Sequence, residues 1–364
     1  MSALEVKDLR LIFHTYAGDV KALDGVDLRV QKGEILGLVG ESGCGKSVTA
    51  LCIAGLLPEN AAVTEGAILL DGRDLLKLSK NEIRKARMKD IAFVFQDPMT
   101  YLNPVLSIGS QLLETLTDDK KAHMPAFVEM KSKELERRLL SNPESVSAKE
   151  ELTKLKAGNL KIGRREVNRL AKLEALEYLR IVRLPEPERV FKMYPFELSG
   201  GMRQRVMIAM ALIRSPKVLL ADEITTALDV TVQAQILELL KELRDRIEGA
   251  IILITHDLAI VSEVCDRAAV MYAGSIVEEA NVDELFANPL HPYTRGLMGA
   301  IPRPDVKAMK LESISGSVPD LIYPPSGCRF HPRCPKAFDR CPKVKPPLVE
   351  VKPGHRVSCL LYGG

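Results

Sequence analysis

The chain lacks any long apolar run. The longest, Val206 to Ile213, has eight residues, far short of the roughly 20 that a helix needs to cross hydrocarbon, so an α-helical membrane span is excluded. Basic and apolar signal segments are also missing from Met1 to Val6, which predicts a protein that stays in the cytoplasm. There is little net charge, with 51 Lys and Arg against 48 Asp and Glu, and no internal repeat or low-complexity tract. Disorder throughout is excluded as well, because 46% of the residues are hydrophobic, an ordinary share for a globular chain. With 364 residues there is room for a substantial core, in one large domain with additions or in two. The seven cysteines then read as thiols or metal ligands rather than disulfides.

The global charge of +3 conceals two basic segments. Residues 120–172 and 291–364 each carry +7, leaving −11 for the remainder. Twelve of the 22 prolines fall in 291–364, a composition that favours turns and extended chain over long helices; a boundary near residue 290 follows. Upstream, Glu5 to Leu11, Leu23 to Val30, Ile35 to Val39 and Ile91 to Phe95 read as strands, and Lys46 to Leu57 as a helix. From about Ile108 to Arg183 the pattern is helical, rich in Leu, Lys, Glu and Arg. Strand character returns at Val218 to Ala221, Ile251 to Ile254 and Ala268 to Met271. Strands separated by helices predict an α/β core with a helical insertion.

The sharpest local signal is Gly40-Glu41-Ser42-Gly43-Cys44-Gly45-Lys46-Ser47, directly after an apolar strand and directly before a helix. This is the phosphate-loop pattern in its required context. Its glycines let backbone N–H groups turn inward around a phosphate, with the helix start adding a favourable dipole. Lys46 would bridge the β and γ phosphates of ATP, Ser47 would ligate Mg2+, and Cys44 reads as a small filler of the loop. A second apolar strand ends in Asp222-Glu223: Asp222 can hold the magnesium shell, and Glu223 can act as general base toward a water in line with the γ-phosphate. Ser199 with Gly200 and Gly201 opens an apolar helix and offers a hydroxyl and free N–H groups, a second anion site. His256 follows the strand Ile251 to Thr255 and supplies a further group for the γ-phosphate.

In this order the motifs resemble the ATP-binding cassette ATPases over essentially the whole chain. The resemblance implies an α/β P-loop NTPase cassette with a helical subdomain and a small Cys/Pro-rich C-terminal extension. It places the cassette at residues 1–290, the helical subdomain at 96–210 with a basic insertion at about 118–165, and the extension at 291–364. It adds the glutamine loop at Gln96, both a magnesium ligand and a catalytic residue, the Ala227-Leu228-Asp229 loop with Asp229 at the nucleotide, and His256 as the switch histidine. Tyr16, with Phe13 as runner-up, would stack on adenine. Two cassettes would pack head to tail, so that Ser199 and Gly201 of one touch the γ-phosphate held by Lys46 of the other.

Phe95 to Pro104, Tyr194-Pro195 and Asn288 to Thr294 are similar to the oligopeptide and dipeptide importer ATPases. That likeness implies two transmembrane permease subunits, a homologous second ATPase subunit in a heterodimer rather than a homodimer, and indirectly an extracellular solute-binding protein. It places the chain peripherally on the cytoplasmic face of the membrane and implies no nucleic-acid partner. Oligosaccharide or nickel as solute, and a soluble cassette acting on nucleic acid or ribosomes, are the alternatives, the latter motivated by the two basic segments. The chain departs from the subfamily at Phe196 and Ile224 and in the spacing of 103 positions from Gln96 to Ser199. The excess is basic and helical, with breaks at Ser141-Asn142-Pro143 and Ala157-Gly158-Asn159; it reads as a solvated decoration or as a contact for anionic lipid or the permease.

Cys328, Cys334, Cys341 and Cys359 leave gaps of 5, 6 and 17 residues, wider than the usual structural-zinc hairpin. Pro335 and Pro342 follow two of them, as Pro follows a ligand in bacterial ferredoxins, and nearby cations would offset thiolate charge. With the importer resemblance, a structural [4Fe–4S] cluster is expected, with zinc or unliganded thiols as the alternatives. Metal would then order a Pro-rich segment unable to build its own core. Cys52 and Cys265 read as core cysteines.

Overall fold

The structure, a computed structural model, describes residues 2–118, 120–142, 144–157, 163–226, 228–244, 249–300 and 314–363. The chain divides into two units, residues 1–96 with 216–364, and residues 97–215. In the first, the strands are β1 (Ser2–Thr15), β2 (Gly18–Gln31), β3 (Ile35–Val39), β4 (Ala61–Leu70), β5 (Arg73–Asp74), β6 (Ile91–Val94), β7 (Val218–Asp222), β8 (Ala250–Thr255), β9 (Arg267–Tyr272), β10 (Ser275–Asn281), β11 (Val349–Lys352) and β12 (His355–Val357).

One sheet, in the order β2-β1-β4-β5, is antiparallel. Val26, Leu28 and Val30 of β2 alternate into the core at the two-residue period of a half-buried strand. The other sheet has the order β11-β12-β10-β9-β3-β8-β7-β6. Its central strands β3 and β8 are buried at every position, as parallel strands covered on both faces must be. They run parallel from Ile35 opposite Ile251 to Val39 opposite Thr255, with Asp222 opposite Ile254 and Val94 opposite Ala221. This register brings the ends of β3, β6, β7 and β8 to one carboxyl edge, where ligands collect in such sheets.

β4, β5, β10, β11 and β12 are absent from the strands expected from sequence. β10 is hidden by its acids, since Glu278 and Glu279 interrupt an otherwise apolar run and are both buried. Glu278 accepts from the N–H groups of Leu290 (2.6 Å) and His291 (2.9 Å) and pairs with His355 Nε2 (2.8 Å); Glu279 pairs with Arg267 and Arg356. Most of these partners come from the C-terminal segment, whose β12 pairs with β10. Phe330 of that segment is buried against Tyr272 and Tyr293, with ring centroids 5.0 and 5.4 Å away. The expectation that the segment needs metal for want of a core is thereby corrected, because it completes the core and sheet of the first unit.

The second unit is helical. Its helices are Pro98–Tyr101, Ile108–Asp118, Lys120–Ser141, Val146–Lys156, Arg164–Ile181, Pro187–Val190 and Gly200–Leu212. Lys120–Ser141 and Val146–Lys156 make up the basic insertion and share a small apolar cluster of Leu135, Ala148 and Leu155. Lys131 reaches Glu166 (2.8 Å), Glu134 pairs with Arg169, and Lys156 reaches Glu136 (3.0 Å). Two of its cations, Lys131 and Lys156, are thus engaged in ion pairs. Pro143, Gly158 and Asn159, three of the expected break residues, lie outside the described residues.

Candidate functional site

The loop after β3 is shaped by its glycines. A Cβ at Gly40 would lie 2.2 Å from the Met271 carbonyl oxygen, so only glycine fits there, whereas Gly43 (φ +78°) has open space where its Cβ would be. Gly45 precedes the helix Lys46–Ile53, and Ser42 lies exposed within the loop. Cys44 is buried, which pushes its thiol above the ordinary value and suits it to the filler role. The Lys46 ammonium, itself buried, donates to the carbonyls of Gly40 (2.7 Å) and Glu41 (3.0 Å).

At the same edge the Ser47 hydroxyl donates to Asp222 Oδ1 (3.1 Å). Burial raises the Asp222 carboxyl, with the Glu223 charge adding to it, while the Ser47 bond and Lys46 oppose. A hydroxyl and a carboxylate side by side form a hard-oxygen pair, which fits Mg2+ completed by phosphate oxygens and water. Glu223, one residue on, has φ 46°, a left-handed backbone that non-glycine residues rarely adopt. Its carboxylate receives Gln96 Nε2 (3.0 Å), pairs with His256 Nδ1 (3.1 Å) and accepts from Thr226 Oγ1 (3.3 Å). The structure thus brings together Lys46, Ser47, Asp222, Glu223, Gln96 and His256. The amide of Gln96 is directed at Glu223, a contact the sequence reading did not include.

Asp229 opens the helix Val230–Arg244 by accepting from Val232 N–H (3.0 Å); Ala227 lies outside the described residues. Tyr16 stands fully exposed in the turn between β1 and β2, while Phe13 is half buried against the core. In the helical unit Ser199 caps Gly200–Leu212, its hydroxyl accepting from Met202 N–H (3.3 Å), with Gly200 exposed and Gly201 buried.

The four tail cysteines lie near enough to influence one another. Burial pushes Cys328 up to about 11, the other three thiols add to it, and the Phe330 N–H opposes. Cys334 and Cys359 are also raised by burial, opposed by the N–H groups of Lys336 and Leu361. Yet among the described residues no three His, Cys, Asp or Glu side chains come together as a metal-holding group. The expected [4Fe–4S] ligand set is therefore not assembled here, nor is a zinc site. Cys52 is buried, and the Cys265 sulfur packs close to Gly37, both as core cysteines would.

A family model described as ABC transporter matches residues 23–226, spanning the phosphate loop, the signature helix and the acidic strand end. The chain belongs to the ABC transporter family. This cassette is also matched over residues 277–341 by the model of the oligopeptide/dipeptide transporter C-terminal region. It is 45% identical to the oligopeptide transport ATP-binding protein AppD of Bacillus subtilis, over 99% of this chain and 96% of that one. It is 43% identical to the oligopeptide transport ATP-binding protein OppD of Escherichia coli, over 98% and 92%. Among solved structures, the dimeric ATP-binding cassette MJ0796 bound to ADP and phosphate is similar at a TM-score of 0.57 and 25% identity, covering 77% of this chain and 98% of that one. The fold is thus the P-loop NTPase cassette, and the chain is an ATPase of that family. No helix among the described residues is long and apolar enough to cross a membrane.

Sequence reasoning missed three residues at the phosphate loop: Glu41 as a bridging acid, Tyr293 and Arg333. Tyr293 lies in a string already singled out by resemblance, and Arg333 directly precedes Cys334, but nothing local in either signals a contact with residue 41.

Proposed function

We propose that this chain is the ATP-hydrolysing subunit of an importer of oligopeptides or dipeptides. The observation carrying the hydrolytic half is Glu223, gripped by Gln96 and His256 at the edge that also holds Lys46, Ser47 and Asp222. ATP would lie with its phosphates on the loop Gly40–Ser47 and adenine on Tyr16, with Asp229 close to the nucleotide. Lys46 exchanges the loop carbonyls for β- and γ-phosphate oxygens. Glu223 takes a proton from water as the water oxygen bonds to the γ-phosphorus and the bond to the bridging oxygen breaks, releasing ADP. Gln96 and His256 orient the carboxylate and that water. Ser47 and Asp222, with Gln96, would hold Mg2+, which when bound offsets the phosphate charge.

Peptide as solute is supported by the names of the relatives and by the matched C-terminal region. In this reading the chain sits peripherally on the cytoplasmic face, against two permease subunits and beside a homologous ATPase subunit, each signature loop completing the other's site. The extracellular binding protein acts indirectly. The four cysteines belong to the same reading as a [4Fe–4S] ligand set closed only on metal uptake, supported by their proximity and the N–H groups near three sulfurs. About four irons per chain after anaerobic purification is the expected result, and iron-free protein with zinc or free thiols rejects it. For the function itself, vesicles containing the chain with its permeases and second ATPase subunit should take up labelled peptide only with ATP, and peptide-loaded binding protein should accelerate hydrolysis. Hydrolysis indifferent to those partners but stimulated by nucleic acid would move the chain to the soluble-cassette alternative.

A further inference from the structure

Glu41 is the only acid in the phosphate loop, and each of its polar groups is engaged. Its N–H donates to the Tyr293 hydroxyl (2.9 Å) and its carbonyl accepts from Lys46 (3.0 Å). Its carboxylate takes a two-pronged guanidinium, with Arg333 Nη1 at 2.7 Å from Oε2 and Nη2 at 3.0 Å from Oε1. Two of these three partners come from the region after residue 290. Arg333 is itself held firmly. Its side chain is 7% exposed, its guanidinium carbon lies 5.8 Å from the centre of the Tyr272 ring, and it donates to the carbonyls of Ser315 (2.9 Å) and Gly316 (3.2 Å). Tyr272, Tyr293 and Phe330 pack together beside it.

This geometry matters for a triphosphate. A free carboxylate in the loop would repel the incoming anion, whereas one locked in a bidentate pair has its charge offset and its position fixed. Lys46 must leave the Gly40 and Glu41 carbonyls to meet phosphate; the Cys44 N–H (3.3 Å) and the Tyr293 hydroxyl then still hold the Glu41 backbone, and Arg333 alone of these partners holds its carboxylate. We propose that Arg333 is a positioning residue for the phosphate loop: by holding the Glu41 carboxylate from the C-terminal region and offsetting its charge, it sets the affinity of the site for ATP. The residue next to Cys334 thereby links that region to the nucleotide. The proposal rests on the reading of Gly40–Ser47 as the phosphate loop.

The test is titration of the full chain with MgATP, with folding checked by circular dichroism. Arg333→Ala should weaken binding about fivefold or more, as expected when a partly buried charge loses its partner, and should raise KM more than it lowers kcat. Glu41→Gln in the Arg333→Ala background should recover most of the loss, because it removes the unpaired charge. A merely structural arginine, holding only the 315–316 carbonyls, would show no such recovery. Should Arg333→Ala fail to fold, Arg333→Lys carries the test, with about threefold weaker binding that Glu41→Gln again relieves. Binding within twofold of the parent for the folded Arg333 variant, or a loss that Glu41→Gln leaves unchanged, overturns the proposal. Lys46→Ala separates the two readings: if it too leaves ATP binding unchanged, the phosphate-loop assignment itself fails, and if it alone weakens binding, only the clamp is wrong.

Discussion

Glu223 combines a strained backbone with a carboxylate held by three side chains, a pairing typical of residues whose position matters more than their comfort. Replacing it with Gln preserves size and hydrogen bonding but removes the basic oxygen. Glu223→Gln should keep ATP affinity within a few-fold and reduce phosphate release by about 10² or more, the usual contribution of general base catalysis; near-normal turnover would mean that another group takes the proton. A second carboxyl departs from its ordinary value for a different reason. Glu174, in the helix Arg164–Ile181, has a buried Oε2 with no hydrogen-bond partner among the described residues, and burial pushes it from 4.5 up to about 7. The folded state therefore prefers the protonated form. Its contribution to stability is fully present below pH 4.5 and is lost as pH rises through 7. Glu174→Gln should gain on the parent between pH 5 and pH 8 by about 1 kcal/mol, discounted for partial solvent screening. Thermal melts at the two pH values, showing a constant gap between variant and parent, would remove burial as the cause.

The strands legible in the sequence are those whose burial follows from their own residues. β3, β7 and β8 are apolar runs, and the candidate catalytic groups could be read because they stand directly after such runs. β10 was not legible, because Glu278 and Glu279 are tolerated inside it only through partners remote in sequence, and neither were β11 and β12, short strands among prolines. The same remoteness hid Arg333 from its partner Glu41. These elements depend on one another: His355 of β12 is buried and meets Glu278 of β10 at 2.8 Å. Removing that partner leaves a buried carboxylate that still accepts from the Leu290 and His291 N–H groups. His355→Ala should cost about 2 kcal/mol, below the full penalty for an unpaired buried charge because those N–H groups remain. Glu278→Gln added to it should restore part of the loss. Denaturant unfolding provides the check; an undiminished loss in the double variant would show that His355 acts by filling space or through Glu284, 3.4 Å from its Nδ1, rather than by pairing with Glu278.

At the scale of the whole chain, the unexplained surplus is a second helix start with phosphate chemistry. Lys46 begins one helix in the sheet-bearing unit, and Ser199 caps another in the helical unit. A nucleotide held by one loop has γ-phosphate charge to spare for a second set of donors. The proposed pairing with a homologous subunit gives each set a use, since Ser199 would serve the ATP held by the partner. Consider a complex in which Lys46→Ala has disabled this chain's loop, so that the remaining hydrolysis occurs at the partner's loop. Ser199→Arg in the same chain should then reduce that remainder at least tenfold, because a bulky cation replaces a hydroxyl that contributes to transition-state stabilisation. In the converse complex, with this chain's Lys46 intact and the partner's loop disabled, Ser199→Arg should leave the rate essentially unchanged. Steady-state phosphate release from both complexes decides the matter. The opposite pattern would place Ser199 at its own chain's nucleotide, and the site would then belong to one subunit rather than to the pair.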